Sequence, residues 1–343
     1  MRLIHCSDIH LDIPFGNILT QEKSATRKQE ILSAFSSMAG FASEEGVRAV
    51  LITGGLVDAE HISRMTIDRV YKIMKDNPDV IFALLPGNSY ETAYFSGEKN
   101  LPENFRIFSD LDKKLTIDNV DIYGVNEASK LPLLDEKQTN IVITSGVSQL
   151  RGFEDRGIAY LGLGLERTYR HGDLIGGGYF CAPGSLEALT FEEGGNKGFM
   201  EIYISGGKVS PVFVRSGKRL CYNVDVDVTG AANADEVSDN ARHALSLIKG
   251  INGAAMVRIN LTGRMDLEHI IDDRVVEKTL GREYFAVSVN DSEVDFDITL
   301  DGISENTLRD RFIRRVSEGN ESLELKKDII KVGITAISGG EIQ

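Results

Sequence analysis

Val47-Arg48-Ala49-Val50-Leu51-Ile52-Thr53-Gly54-Gly55-Leu56-Val57-Asp58 is an apolar run that stops abruptly at two glycines. A run of this kind, without polar alternation, is the pattern of a strand buried on both faces, as in parallel sheets. Val80-Ile81-Phe82-Ala83-Leu84-Leu85, closed by Pro86-Gly87, repeats it. Helical stretches lie before and between these runs. Residues 25–45 place Ile31, Leu32, Phe35, Met38, Ala39 and Ala42 on one face, and residues 62–76 do the same with Ile62, Met65, Ile67, Val70, Ile73 and Met74. Pro78 is the stop signal of the second helix. Strands alternating with helices in this order predict parallel strands joined by crossover helices.

From Val120 the texture becomes mostly β. Val120–Val125, Ile141–Thr144, Ala159–Leu163, Leu174–Cys181, Phe199–Ser205 and Lys208–Val214 read as strands with short Gly-rich links. Ser205-Gly206-Gly207-Lys208 reads as a hairpin turn, since Gly-Gly supplies positive φ at both central positions. Gly176-Gly177-Gly178 is a strand or turn element; without a Lys-Ser/Thr pair or a following helix it is not a phosphate loop. The expected domain is therefore two sheets face to face with helices outside.

A boundary is expected at Ser216-Gly217-Lys218-Arg219, giving domains 1–216, 220–302 and 303–343. Tyr222–Val228, Ala254–Leu261 and Tyr284–Val289 read as strands, and Ala234–Lys249 and Leu267–Leu280 as helices, of a small α+β unit. Two closing helices, 305–318 and 321–337, either bind a partner or complete the small unit's core. The first carries Arg309, Arg311, Arg314 and Arg315, read as a solvated face or a basic patch.

A net charge of −14 argues against broad, non-specific nucleic-acid binding, although a local basic cleft is compatible with it. Cys6, Cys181 and Cys221 are scattered and outside any CxxC, which suits a reducing cytoplasm and no zinc knuckle. The N-terminus opens on strand-like Arg2–Cys6 with no basic region followed by an apolar one, so no leader peptide is expected. Nothing approaches the roughly 18 continuous apolar residues of a membrane span.

Five segments close apolar runs in the first 190 residues: Ser7-Asp8-Ile9-His10, Gly54-Gly55-Leu56-Val57-Asp58, Pro86-Gly87-Asn88-Ser89-Tyr90, Thr144-Ser145-Gly146 and Gly162-Leu163-Gly164-Leu165-Glu166-Arg167. Their order resembles the calcineurin-like metallophosphoesterase superfamily, and within it the SbcD-type DNA-repair exonucleases. The pattern there is D-x-H, G-D-x-x-D, G-N-H-D/E, a lone His, and G-H-x-H. Ala182–Glu187, Phe191-Glu192-Glu193 and Lys197-Gly198-Phe199 also resemble the SbcD-type stretch after the last motif. The resemblance implies an α/β fold, a four-layer α-β-β-α sandwich, with a small capping domain and C-terminal helices. It implies two divalent metals, a DNA substrate reached through a complex, and an SMC-like ABC ATPase partner. A homodimer through helices of the phosphoesterase domain is implied as well.

Carried across position by position, the pattern leaves Asp8, His10 and Asn88 as ligands. The bridging Asp falls on Gly55, the proton-donating His on Ser89 with its acidic partner on Tyr90, the lone His on Ser145, and the last two histidines on Leu165 and Arg167. Residues 1–216 hold His5, His10, His61 and His171, of which only His10 stands where the pattern wants one. Two dications about 3.5 Å apart repel by on the order of 19 kcal/mol at an effective dielectric near 20. Without the bridging carboxylate, a two-metal centre is not expected. Asp8 and His10 are then fold remnants, or with Asn88 hold one weak divalent metal (Mn, Fe or Zn). Arg167 is expected to pair with Asp8 in place of a metal charge, and Arg167 and Arg170 form a candidate anion-binding pair. The expected function is a non-enzymatic scaffold or ATPase-docking subunit. The alternatives are an active phosphodiesterase or exonuclease with a single-metal or rearranged site, or a protein that binds a phosphorylated ligand without turnover.

Overall fold

The computed structural model describes residues 1–16, 19–145, 150–265, 272–296 and 307–337. It divides into two compact units, Met1–Leu220 and Cys221–Gln343. In the first, β1 (Arg2–Cys6), β2 (Ala49–Thr53), β3 (Ile81–Leu85) and β4 (Phe105–Ile107) run parallel. They are extended by the hairpin β11 (Gly198–Ser205) and β12 (Lys208–Arg215) into a sheet of order β12-β11-β1-β2-β3-β4. The Gly206-Gly207 turn sits where expected, with φ of 56° and 77°, the left-handed pair that a two-residue hairpin requires.

A second six-stranded sheet has order β5-β6-β7-β8-β10-β9, from β5 (Lys114–Ile117), β6 (Val120–Gly124), β7 (Thr139–Thr144), β8 (Tyr160–Leu163), β9 (Arg170–Asp173) and β10 (Tyr179–Ala182). Leu3, Leu51 and Ala83 from the first sheet and Ile122, Ile143 and Tyr160 from the second share one buried core, so the sheets pack face to face. Every residue of β2, β6 and β7 is buried, which in β2 is the physical counterpart of a continuous apolar run; β6 and β7 also bury Asp121 and Asn140.

On the outer face of the first sheet lie α1 (Gln21–Glu44) and α2 (Arg64–Asp76), capped by Thr20 and Ser63. The second sheet buries its outer apolar face, including Val142, Leu161 and Phe180, under Leu131, Leu134, Phe153 and Leu174 from connecting segments. The fold class is as expected. Two local readings change. The predicted strand Leu174–Cys181 is a turn through Gly176, Gly177 and Gly178 (φ 87°, 96° and 94°) that separates β9 from β10, because three successive left-handed residues cannot continue a strand. In addition, α3 (Ser89–Gly97) follows β3, where no helix was expected.

The second unit has three parallel strands, β13 (Cys221–Asp227), β14 (Met256–Met265) and β15 (Ala286–Phe296), in that order. The crossovers α4 (Ala234–Ser246) and α5 (Asp273–Leu280) pack Val237, Leu245 and Leu280 on Val257 and Ile259. The start of the predicted helix 267–280 lies outside the described residues, as do 305–306 of the first closing helix, the expected boundary at 302/303 and Gly146 of the fourth motif. The closing helices α6 (Leu308–Ser317) and α7 (Leu323–Ile337) make their own small core, Ile313, Ile330 and Ile334 on Phe296. Leu308, Leu323, Leu325 and Val332 remain exposed. Among the described residues no helix is long and apolar enough to cross a membrane.

Candidate functional site

The expected motifs converge at the C-terminal ends of the parallel strands. After β1 the chain turns through Asp8 (φ 50°) and His10 (φ 48°), two left-handed non-glycine residues. Backbone N–H groups of Asp8, His10 and Leu11 donate to the carbonyls of Gly54, Gly55 and Leu56, at 3.2, 2.6 and 3.1 Å, zipping this loop to the one after β2. The strain is carried by that zipper. Left-handed residues outside glycine cost about 1–3 kcal/mol and gather at functional sites.

Asp8 is buried. Its Oδ1 lies 3.4 Å from Nε2 of His10, while Oδ2 is buried with no hydrogen-bond partner among the described residues. Gly55 (φ 65°) lies directly beneath: a Cβ built there would stand 2.9 Å from His10 Nε2 and 3.1 Å from Asp8 Cα. The position of the bridging carboxylate is thus packed by the histidine ring. Leu165, at φ 56°, rests its Cδ2 3.0 Å from a Cβ built on Gly87 and 3.4 Å from one on Gly54. An apolar methyl covers the loops where a ligand histidine was expected.

Asn88 is the N-cap of α3, its Oδ1 accepting from the Glu91 amide at 2.8 Å. Ser89 and Tyr90 are exposed on the first turn. Ser145 is buried; its hydroxyl bonds to the Pro86 carbonyl at 3.0 Å and to Asn126. The position of the lone histidine therefore ties β7 to the loop after β3.

The expected Asp8–Arg167 pair is not formed. The partly exposed Arg167 guanidinium reaches Glu193 Oε1 at 3.4 Å. Glu193 is the centre of a buried cluster, accepting from Ser185 Oγ at 2.6 Å and lying 3.3 Å from Lys197 Nζ, which in turn donates to the Arg167 carbonyl at 2.8 Å. A guanidinium with a nearby carboxylate on its own side of the fold has no reason to cross the cleft. Arg170 is likewise committed, with two 2.7 Å bonds to Glu166. His61 pairs with Asp58 and His171 with the Tyr179 hydroxyl.

Glu91 escaped sequence reading. Fully buried at the start of α3, its carboxylate accepts four backbone N–H groups: Gly87 at 2.8 Å, Leu56 at 2.8 Å, Gly55 at 3.1 Å and Val57 at 3.3 Å. Burial pushes its pKa up, and the four amides oppose that shift. An acid three residues past an N-cap Asn was the available signal, although it predicts a capping box rather than this longer reach.

Two metals do not fit these residues. The bridging position lacks a side chain and its space is filled, and the groups that converge on Glu91 are donors rather than the acceptors a dication needs. Among the described residues no three His, Cys, Asp or Glu side chains gather as a metal centre would require. A cavity of about 370 Å³ lies elsewhere, against α1, lined by Met38, Phe41, Phe199 and Val214, and none of the candidate site residues borders it.

No family model matches the chain. It is 22% identical over 303 residues to the uncharacterized metallophosphoesterase YhaO of Bacillus subtilis, across 77% of this chain and 72% of that protein. It is 25% identical over 147 residues to the DNA double-strand break repair protein Mre11 of Sulfolobus acidocaldarius, across 40% of this chain and 36% of that protein. Among solved structures, TT1561 of Thermus thermophilus superposes with a TM-score of 0.41 at 10% identity, over 62% of this chain and 99% of that one. The order of the strand-end motifs and the two sequence relatives together support placing the chain in the metallophosphoesterase superfamily.

Proposed function

We propose that this chain is an SbcD-like member of the superfamily that has given up two-metal nuclease chemistry and serves as a scaffold or docking subunit for an SMC-like ABC ATPase. The observation that carries the reading is the packed cleft floor: His10 against Gly55, and Leu165 over Gly54 and Gly87. A nuclease needs that space for two cations and a phosphate. The docking role is supported by α6 and α7, which leave Leu308, Leu323 and Leu325 exposed after closing their own core. The Mre11 relative supports the DNA-repair setting, with DNA reached through the complex.

A second reading, a single-metal phosphodiesterase, is favoured by one specific feature. Asp8 Oδ2 is a buried, unpartnered carboxylate oxygen beside an imidazole nitrogen, as half of a weak cation site would be. If bound, one cation would polarise a phosphoryl oxygen; Asp8 and His10 would hold it.

Metal content and manganese-dependent hydrolysis of a generic phosphodiester, on one purified sample with Asp8→Ala as control, test both. The scaffold reading expects less than about a tenth of an equivalent of metal and no difference from the control. Stoichiometric metal with control-sensitive turnover would establish the second reading instead.

A further inference from the structure

We propose that the Glu91 carboxylate has replaced the metal ions as the element that holds the loop after β2 to the loop after β3. This deepens the scaffold reading, resting on its premise that two metals do not fit. In a two-metal site, dications join loops by collecting oxygen acceptors from several strand ends. Here the polarity is reversed. N–H groups of Gly55, Leu56 and Val57 from one loop and Gly87 from the other converge on a single carboxylate, at 3.1, 2.8, 3.3 and 2.8 Å.

Successive amides aimed at one point form an anion-holding nest, and bonds to an ionised acceptor are stronger than neutral ones. Glu91 is held from its own side as well: Asn88 caps the helix that carries it, 2.8 Å from the Glu91 amide. Leu165 closes the loops above Gly54 and Gly87. The strained turn at Asp8 and His10 hangs from the same loop through the Gly54 and Gly55 carbonyls. One internal anion therefore stabilises an arrangement of strand ends that needs no cation.

Amide hydrogen exchange and thermal melting, each in EDTA and in excess manganese chloride, test this. In the wild-type chain the four amides are expected to be protected in EDTA, with a melting temperature that manganese does not raise. Glu91→Gln puts an NH2 group against amide donors; it should melt about 5–10 °C lower and open these four amides roughly tenfold. Amides of β6 and β7 should keep their protection, and manganese should not rescue the variant. If Glu91→Gln fails to fold, Glu91→Asp, which keeps the charge and shortens the reach, should show the same selective opening. Wild-type protection that appears only with manganese, or full protection in Glu91→Gln, would overturn the proposal. Metal-dependent hydrolysis with the four amides protected in EDTA would sink the scaffold reading and leave the latch standing.

Discussion

The imidazole of His10 lies so close over Gly55 that a Cβ on that glycine would stand 2.9 Å from Nε2. The glycine carries no side chain and the histidine ring fills the space one would take. The two positions have to be read together, because a side chain at position 55 must displace the His10 ring.

Gly55→Asp, which restores the bridging carboxylate in name, is therefore expected to destabilise the fold by about 2–3 kcal/mol. The new side chain meets His10 and sits at φ 65°. Chemical denaturation measures the loss. Manganese-dependent stabilisation of the variant would show that the cleft still accepts a metal.

Arg167→Ala should cost less than about 1 kcal/mol, because its partner contact with Glu193 is 3.4 Å long and its side chain is partly exposed. A double-mutant cycle with Asp8→Asn should give a coupling near zero. A coupling of about 2 kcal/mol or more would revive the cross-cleft pair.

Asp8→Asn on its own separates the two functional readings. An unpartnered buried carboxylate oxygen disfavours the folded state, so the variant should melt at or above the wild-type temperature in EDTA. If Asp8 holds a cation, manganese raises the wild-type melting temperature and leaves that of the variant unchanged.

His5 makes the fold acid-sensitive. It is fully buried between the sheets, its Nδ1 2.8 Å from the Tyr160 hydroxyl and its Nε2 without a partner among the described residues, and burial lowers its pKa from 6.5 to about 3. Below pH 6.5 the unfolded chain takes up a proton that the folded chain refuses. The stability contribution is complete above that pH and is lost as pH falls toward 3. At pH 4.5 the loss is about 2–3 kcal/mol. Denaturation at pH 7 and 4.5 should show it as extra acid sensitivity relative to His5→Gln, in which the carboxylate titrations are common to both proteins.

Arg27 is the buried partner of two acids, 2.6 Å from Glu30 and 3.0 Å from Glu187. Glu30 keeps a second partner in Arg219 at 2.7 Å, whereas Arg27 is the only ion-pair partner of Glu187 among the described residues. Arg27→Met should cost about 3–5 kcal/mol by leaving a buried carboxylate uncompensated. Adding Glu187→Gln should recover part of that loss; an additive double variant would mean that packing, not charge, sets the cost.

The amino-acid sequence determined the parallel strands β1, β2 and β3 and where they end. An apolar run such as Ala49–Thr53 can be satisfied only when covered on both sides, and glycines at its end can only mark a turn. The residue types at Gly55, Ser145 and Leu165, none of which offers a metal-ligating side chain of the expected kind, could be read directly, since a side chain's chemistry is local. Tertiary structure alone decided what each charge pairs with. Arg167 turned to Glu193 rather than Asp8, and Glu91, besides its local bond from Gly87, found three amides of the loop after β2, 34 to 36 residues away in the chain. Ion pairs and amide nests depend on ångström-scale approach between strand ends, a distance that composition and periodicity do not encode.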